Sequence, residues 1–164
     1  MLNTMKPFID HTIFLGMHSA DEKTRIACKN LIINNFTEGV CMTLEEVGKC
    51  DDVVWQRERA EQDHYYPFMD VLHTDMKIQR VPYTATVMNN AITNDLLSPQ
   101  QRLLLAMAKE CKCVLFTLDA QLLHIGSPFV LSPIESASEY VEKKFSNTLE
   151  QLYENSLLVR FFAT

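Results

Sequence analysis

Two short apolar runs that each close on an aspartate set the frame of this chain. Pro7-Phe8-Ile9-Asp10 is one; Cys113-Val114-Leu115-Phe116-Thr117, followed by Leu118-Asp119, is the other and reads as the clearest strand in the sequence. Runs this short, rich in branched and aromatic residues, suit buried strands better than helices. Gly39-Val40-Cys41-Met42-Thr43 is a third run of the same kind, and Ile78 to Val81, just before Pro82, is expected to be a short edge strand. Helical signals fill the intervals. Ser19 precedes Ala20-Asp21-Glu22, a helix start with acids in its first turn, and Ile26, Leu31 and Ile33 carry an apolar face to Asn34-Asn35. Thr43, with Glu46 three residues on, forms a capping-box pattern. Ser98-Pro99-Gln100-Gln101 opens a further helix with Ser at the cap and Pro in the first turn, and Leu103 to Ala108 is apolar nearly all round, as in a helix buried on more than one side. Strands alternating with helices imply one three-layer α/β domain with a mostly parallel sheet. In such sheets functional groups collect beyond the carboxyl ends of the strands, where the strand order reverses.

The rest of the chain is bounded by composition. Its 164 residues are 47% hydrophobic, enough for one domain with a real core, and carry 15 basic against 21 acidic side chains for a formal charge of -6. That balance disfavours a protein that coats polyanions, which relies on excess Lys and Arg, and it suits a carboxylate site for a divalent metal. No apolar run approaches the roughly 20 residues that cross a bilayer, and Met1 to Lys6 has no signal-peptide pattern. The five cysteines, Cys28, Cys41, Cys50, Cys111 and Cys113, are odd in number and sit in apolar segments, so they are expected to be reduced, mostly buried thiols in a cytoplasmic protein. Residues 131–164 read as a helical extension packed on a domain spanning 1–130. Ile134, Ala137, Val141, Phe145, Thr148 and Leu152 recur at helical steps, and Leu157 to Phe162 make an apolar end that, if unpacked, would serve a partner, including a second copy in a homodimer.

Asp10 and Asp119 end two strands, and Glu45 and Glu46 open the helix after a third. In a parallel sheet all of them project at one edge, where oxygen ligands suit Mg²⁺ or Mn²⁺. Each also has an ordinary structural role. A strand-end Asp satisfies local backbone N–H groups, Glu46 is the third helical residue of a capping box, and Glu45 complements the helix dipole.

At these residues the sequence resembles PIN domains. Phe8 to Leu15 is similar to their first strand and loop, Thr43-Leu44-Glu45-Glu46-Val47 to their second acidic position, and Leu103 to Ala108 followed by Val114 to Asp119 to their late helix and T-x-D strand end. The resemblance covers residues 7 to 125. It implies a PIN-like fold and, as in active members, RNA hydrolysis with Mg²⁺ or Mn²⁺ held by Asp10, Glu46 and Asp119. Glu45 would stand in for Glu46, and Gln101 and Thr117 would position water. The chain departs from the pattern at Gln101, where active members open the late helix with an Asp. An amide brings no charge, and Asp95 is the nearby acid available to substitute. Thr12 also stands where many members have Asn.

Other residues carry weaker signals. His11 follows Asp10, and strand alternation would point it away from the acids. His64, His73 and His124 have no partner at metal-ligand spacing, and Asp51-Asp52 is expected to be solvated. Tyr65-Tyr66-Pro67-Phe68-Met69-Asp70 is expected to serve the core, after a polar stretch from Gln56 to His64. No phosphate loop, dinucleotide fingerprint or G-x-S-x-G is present. Two functions remain: a metal-dependent ribonuclease, or a catalytically degenerate PIN-like module that binds a peptide, protein or RNA partner.

Overall fold

A computed structural model describes residues 6–91, 96–134 and 140–162. In chain order the elements are β1 (Phe8–Ile9), α1 (His11–Gly16), α2 (Glu22–Asn34), β2 (Val40–Thr43), α3 (Leu44–Trp55), α4 (Arg59–Asp75) and β3 (Ile78–Val81). They continue with α5 (Ala85–Asn90), α6 (Pro99–Cys111), β4 (Leu115–Phe116), α7 (Ala120–His124), β5 (Val130–Leu131) and α8 (Asn147–Ser156). The five strands lie in the order β3-β2-β1-β4-β5 and every pair is parallel. The chain builds outward from β1 to β3, then returns to the other side of β1 for β4 and β5. The order therefore reverses between β1 and β4, the place where a parallel sheet opens a crevice at its carboxyl edge.

Side-chain alternation along the strands divides the core into two layers. Ile9, Val40 and Met42 face a cluster closed by α1 to α4 and α8, while Phe8, Cys41 and Leu115 face one closed by α5, α6 and α7. The expected three-layer α/β fold is what forms. Leu104, Leu105, Met107 and Ala108 are all buried, so α6 is indeed covered on more than one side. Cys28, Cys41, Cys50 and Cys113 are buried free thiols, and Cys111 is half-buried. Gly39 enters β2 at φ +89°, where an added Cβ would lie 2.0 Å from the Lys77 carbonyl oxygen, so only glycine fits. No helix among the described residues is long and apolar enough to cross a membrane.

Several expectations shift. The stretch from Gln56 and the aromatic cluster after it largely form one helix, α4, which buries Tyr65, Phe68, Met69 and Leu72 and runs through Pro67. The cap of α2 is Asp21, whose carboxylate accepts from Thr24 N–H at 2.9 Å, and Ser19 Oγ instead accepts from Asp21 N–H. The last strand run narrows to Leu115–Phe116, because Cys113 N–H bonds back to Ala108 O at 3.0 Å as the helix exits. Among the described residues the tail is not helical before Asn147. Residues 140–146 are irregular, held against α2 where Asn30 donates to Val141 O at 3.0 Å and accepts from Lys143 N–H at 2.8 Å. Those peptide groups are spent on a side chain, so the helix begins only at Asn147; Ala137 lies outside the described residues. The apolar end is mostly packed. Val159 is buried and Phe161 bridges Ser19, while Leu158 and Phe162 remain exposed.

Candidate functional site

Asp10 ends β1 and caps α1. Its extended backbone (φ -106°, ψ 179°) turns the chain, and Oδ1 accepts from Thr12 N–H at 3.0 Å. The register that pairs Ile9 with Phe116 sets the next residue, Thr117, beside it. Thr117 Oγ1 donates to Asp10 Oδ2 and accepts from Asp119 N–H at 2.9 Å, and Thr12 Oγ1 donates to Asp10 Oδ1 and accepts from Leu118 N–H at 2.8 Å. Two threonines thus stitch the ends of β1 and β4 together across the switch point. The two aspartates expected at one edge are joined there.

Asp119 repeats the logic on the other strand. It caps α7, with Oδ1 accepting from Gln121 N–H at 2.9 Å and Leu122 N–H at 3.1 Å. Its second oxygen, Oδ2, accepts from Gln101 Nε2 at 2.8 Å. Gln101 is itself fixed: its Oε1 accepts from Ser98 N–H at 2.8 Å in the capping box of α6, which forces the amide nitrogen outward to Asp119 and to Gln121 Oε1 at 3.0 Å. Gln101 thus presents N–H donors to the carboxylate of Asp119.

Glu46 enters from α3. Thr43 Oγ1 accepts from Glu46 N–H at 3.3 Å, but the carboxylate does not return to close the capping box. Instead Oε2 accepts from His11 backbone N–H at 2.9 Å and pairs with His11 Nδ1 at 2.5 Å, and Oε1 lies 3.1 Å from Lys49 Nζ. The alternation that would turn His11 away stops at Ile9, because His11 is already the first residue of a helix. Asp10-His11-Thr12 carried the signal: an Asp two residues before a Thr whose N–H it caps marks a helix start. Glu45, half-buried, touches this network only through Lys49, whose Nζ lies 4.0 Å away. Asp95 lies outside the described residues.

The three acids sit in different electrostatic states. Burial raises Asp10 to about 6, above the opposing effect of the threonine hydroxyls, with Glu46 adding to the rise. Burial also acts upward on Glu46, but the His11 bonds and Lys49 overcome it and hold Glu46 at about 2. His11 is raised: its burial is outweighed by Glu46, so the two form an ion pair.

The donor set fits a divalent cation poorly. Every carboxylate oxygen named here already accepts a hydrogen, from hydroxyls at Asp10, from a cationic pair at Glu46 and from amides at Asp119. Among the described residues no three His, Cys, Asp or Glu side chains are grouped to hold a metal ion.

No curated protein and no solved structure matches the chain. One family model, described as a family of unknown function, spans residues 1–163. The chain belongs to that family, DUF6190.

Proposed function

We propose that this chain is a catalytically degenerate PIN-like domain that serves as a protein-binding module. The observation that carries this reading is the Gln101 amide donating to Asp119 at 2.8 Å. A group that points hydrogen at the carboxylate repels the cation that hydrolysis of RNA would need, and its own oxygen is committed to Ser98. A protein partner is favoured over RNA by the charge of -6 and by exposed apolar side chains around the same edge. Leu44 directly follows β2, Leu131 ends β5, and Met88 lies on the helix after β3; all three are exposed.

One observation favours the nuclease as a second reading. Asp10 is buried with only hydroxyl and backbone N–H donors against it, and a carboxylate raised to about 6 at a strand switch point is a common mark of a working site. Incubating a mixed-sequence RNA with Mn²⁺ and either the wild type or Gln101→Asp separates the two. The binding-module reading expects no cleavage by the wild type and measurable cleavage once the acid is restored. Cleavage by the wild type that disappears in Asp10→Asn would establish the nuclease instead.

A further inference from the structure

We propose that the C-terminal turn of α6 is a site for a soft monovalent metal ion, Cu(I), held by the sulfurs of Met107, Cys111 and Cys113. The turn leads into the amino end of β4 and shares no residue with the acidic edge, so the inference is independent of how that edge is read.

The local sequence folds the three residues together. Met107 and Cys111 are four positions apart on α6, one above the other on the same face. The helix then ends on Lys112 in the left-handed region (φ 52°), with Lys112 N–H donating to Lys109 O at 3.1 Å and Cys113 N–H to Ala108 O at 3.0 Å. That pair of bonds is a Schellman ending, which turns the residue after the left-handed one back onto the last turn of the helix. Cys113 accordingly joins Met107 and Ala108 in one buried cluster, with Cys111 packed against it, and its thiol donates to Cys111 O at 3.3 Å.

The spacing suits a shared ion. Cys111 Sγ donates to Met107 Sδ at 3.8 Å. Two sulfurs each about 2.3 Å from one metal, at roughly 110–120° to each other, stand roughly 3.8–4.0 Å apart. Burial pushes the Cys113 thiol up to about 11, and the thiols of Cys111 and then Cys41 add to the rise, so these groups lie within electrostatic reach of one another. Two thiolates and a thioether are soft donors, the set that selects Cu(I). Structural Zn²⁺ takes four Cys, His or carboxylate ligands, and among the described residues no three of these are grouped.

Loading exchanges two S–H bonds for two S–Cu bonds, releases two protons to water and moves no electron. A coordinating metal drives off a thiol proton that burial alone would retain. The negative charge of the product is offset by Lys109 and Lys112, both exposed on this turn. Half-buried Cys111 gives the ion its entry, while Met107 and Cys113 are buried and shield it.

The test is anaerobic titration of Cu(I) into the full chain, labelled with ¹³C at the methionine methyls, in competition with a chromophoric Cu(I) chelator. The expected result is one Cu(I) per chain and a shift of the Met107 methyl signal as the ion loads. Met107→Leu, which keeps the volume, should weaken binding ~tenfold or more, and Cys111→Ser should weaken it further. No Cu(I) retained against the chelator, a Met107 methyl that stays in place on loading, or unchanged affinity in Met107→Leu would each overturn the proposal. The methyl shift is read on the wild type, so it decides the matter even if a variant fails to fold.

Discussion

Two buried polar clusters in this molecule solve the same problem in opposite ways. On the α2 side, Lys29 is fully buried yet has Glu142 Oε2 at 3.0 Å, Glu150 Oε1 at 2.7 Å and the Tyr153 ring 4.5 Å below it. Arg25 beside it reaches Glu22, Glu142 and the Tyr153 hydroxyl, which in turn donates to Met17 O. Each buried cation is matched by carboxylates, and the cluster binds the tail to the body of the fold. At the strand edge the matching is uneven. Glu46 has His11 and Lys49, but Asp10 has only neutral donors. A fully paired cluster is what structure alone requires; a buried carboxylate without a cation lowers stability, and persists where something other than stability keeps it.

The largest effect that probes this contrast is at Lys29. Lys29→Met keeps the volume but leaves Glu150, itself buried, facing an apolar chain. We expect a loss of ~3–5 kcal/mol in urea unfolding. A loss below ~1 kcal/mol would mean that the tail is held by its rings alone, and the comparison would fail on its structural side.

Asp10→Asn should do the reverse. Asn caps a helix as well as Asp and can accept from Thr12, so the local turn survives. Because folded Asp10 holds its proton up to about 6 against an ordinary 3.8, the folded chain binds more protons than the unfolded one across that interval. Wild-type stability contributed by this group therefore falls as pH rises from about 4 to about 6 and stays low above it. Glu46 acts with the opposite sign and lower down, its contribution being lost as pH falls below its ordinary 4.5 toward 2. The variant should gain ~1–3 kcal/mol at pH 7 and show a flatter profile between pH 4.5 and 6. A variant less stable than the wild type at pH 7 would show that the carboxylate is structurally needed, and the contrast between the clusters would disappear.

Much of this was legible in the sequence, for local reasons. The edge strand at Ile78–Val81 and the helix opening at Ser98-Pro99 were marked by their own residues, and so were the two aspartates at the strand ends. What the sequence hid depends on contacts made far along the chain. Lys29 meets Glu142 across 113 positions, with no periodic signal to connect them. Strand alternation does not reach His11, because β1 ends at Ile9, two residues earlier, and His11 already opens α1. Gln101 stands where the resemblance to PIN domains leads one to expect an acid, but that its amide would hold Asp119 follows only from the Ser98 cap that orients it. Both aspartates cap helices at the carboxyl edge, where Thr117 Oγ1 bonds to the carboxylate of Asp10 and to the backbone N–H of Asp119.

We infer that this acidic edge is held by the protein's own donors, which compete with a divalent ion for the same carboxylate oxygens. Calorimetric titration of Mn²⁺ into the chelator-treated full chain tests it most directly. The account predicts no saturable heat up to ~5 mM Mn²⁺, the range in which a site with its carboxylates already engaged stays unfilled. Saturable binding tighter than ~1 mM that is abolished in Asp10→Asn would contradict it.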